Sequence, residues 1–244
     1  MSELKQALRD LVIANRILAH QNVVDAYGHV SIRHPLHPEH FLLSRSRSPE
    51  LVVESDIMEF TLDGKVVGDD KRPPYLERFI HGSLYEARPD VHAAVHSHAE
   101  ETLAFSITNV PLRPVIHVAR SMGSSVPVWD ISDKFGDETN LLVTNVDHGR
   151  DLAKRIGQGR AVLMRGHGFA AVGATVMDVV RLSVYLPANA RVLTTAMGFG
   201  QFKALAPGEV KTQTDFDPQA PASWRAWEYW ARRAGVGDLL GKMP

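Results

Sequence analysis

The sequence predicts one α/β domain. Strand-like and helix-like stretches mix along the whole length, and neither an internal repeat nor a long linker divides them. The 44% hydrophobic and 23% charged fractions of the 244 residues are those of a globular protein able to bury a sizeable core. Taken in order, residues 3–22 read as an amphipathic helix, because Leu4, Leu8, Leu11, Val12, Ala14, Ile17 and Leu18 recur near a helical period. Tyr27 to Arg33 reads as a turn feeding a short strand, and Phe41 to Ser44 as a second short apolar run. Ile57 to Leu62, then Asp63-Gly64, then Lys65 to Val67 predicts a hairpin with a primed turn. Pro73-Pro74 breaks the chain, a helix is expected from about Leu76 to Ala87, and Arg88-Pro89-Asp90 ends it.

His92 to Ala99 is predicted as a strand, and Thr102 to Ile107 as the start of a helix. Ala161 to Met164 and Phe169 to Val172 read as strands flanking Arg165-Gly166-His167-Gly168. A long helix is expected from about Val176 to Met197, then a loop rich in Pro, Gly and Asp over 205–222. A last helix carries Trp224, Trp227 and Trp230, whose three-residue recurrence favours packing over ligand stacking, while Tyr229 beside them remains a candidate for closing a pocket.

Composition removes several function classes. With no cysteine, disulfides, thiolate zinc sites and cysteine nucleophiles are excluded, so a tightly held metal must use His, Asp or Glu. A net charge of −1 gives no basic field and argues against a nucleic-acid partner. No apolar run approaches the ~20 residues needed to cross a bilayer, and the charged N-terminus lacks a signal-peptide stretch, so no membrane partner and a cytoplasmic location are expected.

The twelve histidines matter through their placement. In a strand, residues two apart share a face, so His96 and His98 can chelate one cation; neutral imidazole suits Zn, Mn, Fe or Co. Alone, His-x-His reads equally well as two hydrogen-bonded buried histidines. His92 has the same parity but lies about 13 Å along the strand, which makes it a surface or strand-end residue. His167 sits between two glycines at the junction of two apolar runs, a platform for a site or an ordinary hairpin tip. Glu77 follows the double proline at a helix start, where the dipole favours a carboxylate whether or not it has a further role. His117, after Pro114-Val115-Ile116, reads as a buried core histidine rather than a pocket residue.

Glu77, then His96-Ser97-His98 nineteen positions later, then His167 inside Arg-Gly-His-Gly together resemble the class II aldolase/adducin family. Gly28-His29-Val30-Ser31, similar to that family's Gly-Asn-x-Ser turn, and Arg88-Pro89-Asp90-Val91 before the histidine strand support the match, which runs in order from the first helix to about residue 200. The resemblance implies a single domain over 1–244, with a helical C-terminal extension at about 205–244. Its fold would be three-layer α/β/α around a central mixed, largely antiparallel sheet. It implies a homotetramer with active sites at subunit interfaces and a divalent ion, Zn2+ or Mn2+, held by His96, His98 and His167. Glu77 would be the acid/base, or a fourth ligand that substrate displaces.

Fold does not settle the reaction, because the family includes sugar-phosphate aldolases, an epimerase, decarboxylases and the non-catalytic adducin head. Where phosphate-binding aldolases place two serines before the glutamate, this chain has Tyr75 and Leu76; His29 replaces the usual Asn. The loop after the first strands is Ser44-Arg45-Ser46-Arg47-Ser48-Pro49, whose arginines suit carboxylates, although Arg/Ser loops are also common solvated surface. These departures resemble the branch that decarboxylates 3-hydroxy-2-methylpyridine-4,5-dicarboxylate or dihydroxyphthalate. On that reading His29, Ser44, Arg45 and Arg47 bind an aromatic dicarboxylate and Glu77 moves a proton. The alternatives are an aldolase or epimerase acting on a sugar phosphate and an adducin-like interaction module.

Overall fold

The computed structural model describes residues 2–212 and 216–241. Seven strands are ordered β3-β2-β1-β4-β7-β6-β5 in one sheet: β1 His29–Arg33, β2 His40–Ser44, β3 Ile57–Thr61, β4 Ala93–Ser97, β5 Val128–Trp129, β6 Ala161–Met164 and β7 Gly168–Gly173. Every pairing is antiparallel except that of β5 with β6. The strands alternate between two apolar clusters. Leu42, Ala93, Val95, Leu163, Phe169 and Ala171 face one; Phe41, Leu43, Ala94, Val162, Ala170 and Val172 face the other. Both faces are therefore covered, and a period of two yields near-continuous apolar runs. The first cluster packs against α1 Glu3–His20, α3 Glu100–Ser106, α6 Val176–Gly198 and α8 Pro221–Arg233; the second packs against α2 Arg78–Ala87 and α5 Val146–Ile156; the short helices α4 Ser132–Phe135 and α7 Pro207–Lys211 lie in the connections. This is the expected three-layer α/β/α arrangement on a mixed, largely antiparallel sheet.

Helix α1 starts where Ser2 accepts from the Lys5 N–H and presents Leu11, Ile13, Ala14, Ile17 and Leu18 to the sheet. Helix α5, absent from the expected elements, packs closely on α2 because Gly149 has no side chain: a Cβ there would stand 2.5 Å from the Phe79 carbonyl oxygen. An Arg150–Glu86 ion pair at 2.7 Å ties the same two helices at the surface.

Several expected boundaries differ. The predicted hairpin at 57–67 has one real strand and a single bridge, Phe60 to Val66. Its turn is not primed: Gly64 alone has positive φ, +79°, its N–H bonds to the Thr61 carbonyl, and Thr61 bonds to Lys65, giving a three-residue loop. The strand expected over His92 to Ala99 ends at Ser97, and the next helix begins at Glu100. Helix α2 begins at Arg78, with Glu77 at its cap. The expected loop 205–222 contains a short helix, Pro207–Lys211; its residues 213–215, like residues 242–244 of the C-terminal extension, lie outside the described residues. His117 is exposed at the start of a 3-10 turn, not buried in the core, because the turn buries its other side through Ala119, Ser121 and Met122; it lines a groove with Tyr185 and Tyr229. Trp227 and Trp230 are buried in the first cluster and Trp224 packs on it, as their spacing predicts. Among the described residues no helix is long and apolar enough to cross a membrane.

Candidate metal centre and active site

Sheet topology assembles the cluster. His96 shares the parity of Ala94 and points to the α2 side, fully buried. The chain leaves β4 at Ser97, so His98 emerges at the strand end. Ser97 pairs with Phe169 of β7, which sets His98 beside the start of β7 and the Arg165-Gly166-His167 loop that joins β6 to β7. Gly168 permits this approach: a Cβ there would lie 2.0 Å from the Ser97 carbonyl oxygen and 3.1 Å from the His98 Cα. Glu77 enters from the start of α2. Ligand atoms of Glu77, His96, His98 and His167 all lie within 4.8 Å of one another.

The hydrogen bonds around the cluster fix ring orientation. His96 Nδ1 lies 3.1 Å from the Phe169 carbonyl oxygen and His167 Nδ1 2.9 Å from that of Leu141. A carbonyl only accepts, so both Nδ1 atoms carry the proton and both Nε2 atoms present lone pairs. The Nε2 of His98 lies 2.9 Å from that of His96 and 3.1 Å from that of His167. One proton on His98 can satisfy only one of those contacts at a time, so the set fits a cation better than a hydrogen-bonded group. Carbonyl-anchored imidazoles are also the usual outer support of a metal ligand. Glu77 Oε1 accepts from the Val143 N–H at 2.9 Å, which turns Oε2 to within 3.4 Å of the His96 and His167 Nε2 atoms. Burial alone would raise the Glu77 pKa, but positive charge placed at the His96 and His167 Nε2 atoms, a proton or a bound cation, outweighs it and holds the carboxyl below the usual range. His98 is pushed down to about 4 by burial, then by its two neighbours, so it is neutral near pH 7 and ready to ligate.

His29 lies directly opposite His96 in the β1–β4 register, with ring centroids 5.1 Å apart. Its Nδ1 lies 2.6 Å from His81 Nε2, and its ring packs 4.6 Å from that of Tyr75. Burial is the main cause holding His29 neutral; His81, also buried, is lowered to about 3. Ser44 is buried and donates to the Tyr75 hydroxyl at 3.3 Å; that hydroxyl in turn donates to the Arg47 carbonyl. Arg45 and Arg47 both meet the buried Asp56, Arg45 Nε at 2.7 Å and Arg47 Nη1 at 3.1 Å, so each guanidinium already holds one carboxylate. His98 opens on a cleft of about 650 Å³, also lined by Val24, Asp25, Ser48, Glu50 and Glu101, a volume ordinary for a small-molecule site. Tyr229 instead lines a separate groove with Arg181 and Tyr185.

The structure thus brings together Glu77, His96, His98 and His167, with His29 alongside and Ser44 one hydrogen bond behind Tyr75. His81, to which the sequence assigns no role, joins the site through His29. Its signal was present: Glu77, His81 and Tyr85 recur four apart and so share one face of α2.

The class II aldolase and adducin N-terminal domain model matches residues 9–194. Decarboxylase tropJ of Talaromyces stipitatus is 33% identical over 95% of this chain and 95% of its own. The 3,4-dihydroxyphthalate decarboxylase of Arthrobacter keyseri is 28% identical over 84% of this chain and 85% of its own. Among solved structures, L-fuculose 1-phosphate aldolase from Glaciozyma antarctica PI12 superposes with a TM-score of 0.76 at 23% identity, covering 96% of this chain and 90% of that one. The last likeness establishes the fold, and the two decarboxylases support a lyase. The chain belongs to the class II aldolase and adducin family.

Proposed function

We propose that the chain is a divalent-metal-dependent decarboxylase of a hydroxylated aromatic dicarboxylate, and that a single domain spans its whole length. The observation that carries this reading is the convergence of three histidine Nε2 atoms and the Glu77 carboxylate within 4.8 Å. His96, His98 and His167 would hold the ion, with room for substrate at a further position, as a catalytic rather than structural centre requires. Bound there, a divalent cation supplies Lewis-acid stabilisation of the electron pair left when a carbon–carbon bond breaks.

Glu77 is ionised, with Oε1 anchored on Val143 and Oε2 facing the cluster. In our reading Oε2 takes the proton of the substrate's ring hydroxyl. The bond to the departing carboxylate then breaks, carbon dioxide leaves, and its electron pair stays on the ring. Oε2 returns the proton to that carbon, so charge and protons balance. Tyr75 and Leu76 stand where phosphate-binding relatives carry serines, which disfavours a sugar phosphate. Arg45 and Arg47 keep N–H groups beyond those given to Asp56 and would hold the carboxylate that stays, with Ser44 fixing Tyr75 above His29.

The cleft beside His98 carries Asp25, Glu50 and Glu101, whereas the groove between α6 and α8 carries Arg120, Arg181 and Arg225. That charge complementarity supports a tetramer in which copies meet at these two faces. The test is a metal-loaded assay with hydroxylated aromatic dicarboxylates and with sugar phosphates. Carbon dioxide release from the former is expected; aldehyde release from the latter alone would replace this reading with an aldolase.

A further inference from the structure

Four buried side chains form an unbroken hydrogen-bonded line. Tyr85 OH lies 2.7 Å from Ser31 Oγ, Ser31 Oγ lies 2.6 Å from His81 Nδ1, and His81 Nε2 lies 2.6 Å from His29 Nδ1. None of the four is more than 4% exposed. The direction of the line follows from its closed end. Among the described residues the Tyr85 hydroxyl has no acceptor except Ser31, so it donates to Ser31. Ser31 then donates to His81 Nδ1, which leaves the His81 proton on Nε2 to donate to His29 Nδ1. His29 must carry its own proton on Nε2. The opposite direction would strand the phenol proton in the core, which buried polar groups avoid. His29 Nε2 has no protein partner among the described residues and is not one of the sealed polar atoms left without one.

We propose that His29 is a neutral hydrogen-bond donor, through Nε2–H, to an oxygen of the substrate that gains negative charge in the reaction. His81, with Ser31 and Tyr85 behind it, is the positioning residue that fixes this tautomer. The proposal rests on the decarboxylase reading of the neighbouring cluster. No proton leaves His29, so its contribution grows only as charge builds on the oxygen it faces. A fixed tautomer also discriminates: an Nε2–H group grips an oxyanion and offers nothing to a substrate donor, whereas the other tautomer would do the reverse.

The experiment uses the full chain, zinc-loaded and labelled with ¹⁵N-histidine, with long-range proton–nitrogen correlation spectra; His29→Asn assigns the His29 signals. The expected result is a pyrrole-type Nε2 and a pyridine-type Nδ1 on His29. His81→Phe removes the donor, while His81→Gln keeps an N–H. The first should shift His29 toward the Nδ1–H form and lower kcat by about 10–100-fold, the range for lost outer support, with KM changed by less than about twofold. The second should retain the native signature and most of kcat. A pyrrole-type Nδ1 on native His29 overturns the proposal, even if neither variant folds. So does a His81→Phe protein with native signature and native kcat. Absence of turnover with every hydroxylated aromatic carboxylate overturns the decarboxylase reading and the donor role with it. An Nδ1–H spectrum with turnover intact overturns the donor role and its tautomer device while leaving the decarboxylase reading in place.

Discussion

Replacing Gly168 by Ala tests whether the close approach of two strands builds the cluster. The added Cβ would stand 2.0 Å from the Ser97 carbonyl oxygen and 3.0 Å from its carbon. Both atoms are backbone of β4, which is held on one side by β1 and on the other by β7, so neither can yield cheaply. Gly168 also has φ +159°, at the edge of the region that side chains avoid, a cost of about 1–3 kcal/mol. Relieving the clash by moving a packed strand costs a further ~1–3 kcal/mol, for a total of about 2–6 kcal/mol. At about 2–4 °C per kcal/mol for a chain of this size, Tm should fall by about 4–24 °C. Ser97 must retreat and carry His98 with it, so metal affinity should fall too. Calorimetry of the metal-free protein and a zinc titration measure the two effects separately. Gly208→Ala is the control, because a Cβ there meets nothing within 4 Å. A Gly168→Ala protein with native Tm and native zinc affinity would refute the argument.

Glu77→Gln keeps the acceptor for the Val143 N–H while removing the charge between His96 and His167. It should lower kcat/KM by about 10²–10⁴-fold, the range of general acid–base catalysis, with thermal stability nearly unchanged by calorimetry. Dialysis against a chelator should abolish turnover and lower Tm by about 5–11 °C relative to protein at a hundredfold excess of ion over Kd; a scan with zinc or manganese restored should recover both. Asp10, half-buried in α1, has a pKa raised from 3.8 to about 6, by burial first and against a hydrogen bond from Gln6. A folded pKa above the unfolded one means stability fully present below about pH 4 and lost as pH rises through about 6. Asp10→Asn should therefore stabilise the protein by roughly 1–3 kcal/mol at about pH 7 and by little at about pH 4; urea titrations at the two pH values give the difference.

The candidate cluster of Glu77, His96, His98 and His167 was legible through its order and spacing taken together, since each member alone reads equally well as structural. Strand parity sets His96, the strand end releases His98, and flanking glycines mark His167. The two-sided apolar runs at 93–95, 161–164 and 169–172 likewise give away a covered sheet. What was hidden depends on contacts far apart in sequence. Helix α5 carries a stripe at helical spacing, Gly149, Leu152, Ala153 and Ile156, but half of it is Gly and Ala, small residues whose value lies in the approach of α2, so its apolar signal is weak. The Asp56 that occupies Arg45 and Arg47 sits in a turn with no periodic signature, so the arginines read as free. His81 looked like one more helix residue until β1 placed His29 and Ser31 on either nitrogen of its ring.

One irregular segment between β5 and α5 contacts the centre twice without supplying a ligand. The Leu141 carbonyl takes the His167 Nδ1–H and the Val143 N–H takes Glu77 Oε1, while Leu141 itself holds φ +65°, costly for a branched residue. That conformation aims both peptide groups at once. Natural or engineered drift in this stretch would retune how strongly an imidazole could donate to a bound ion and where the carboxylate rests, leaving every side chain of the candidate cluster untouched. Relatives with identical ligands would then differ in reactivity for reasons that a comparison of ligand positions alone would miss.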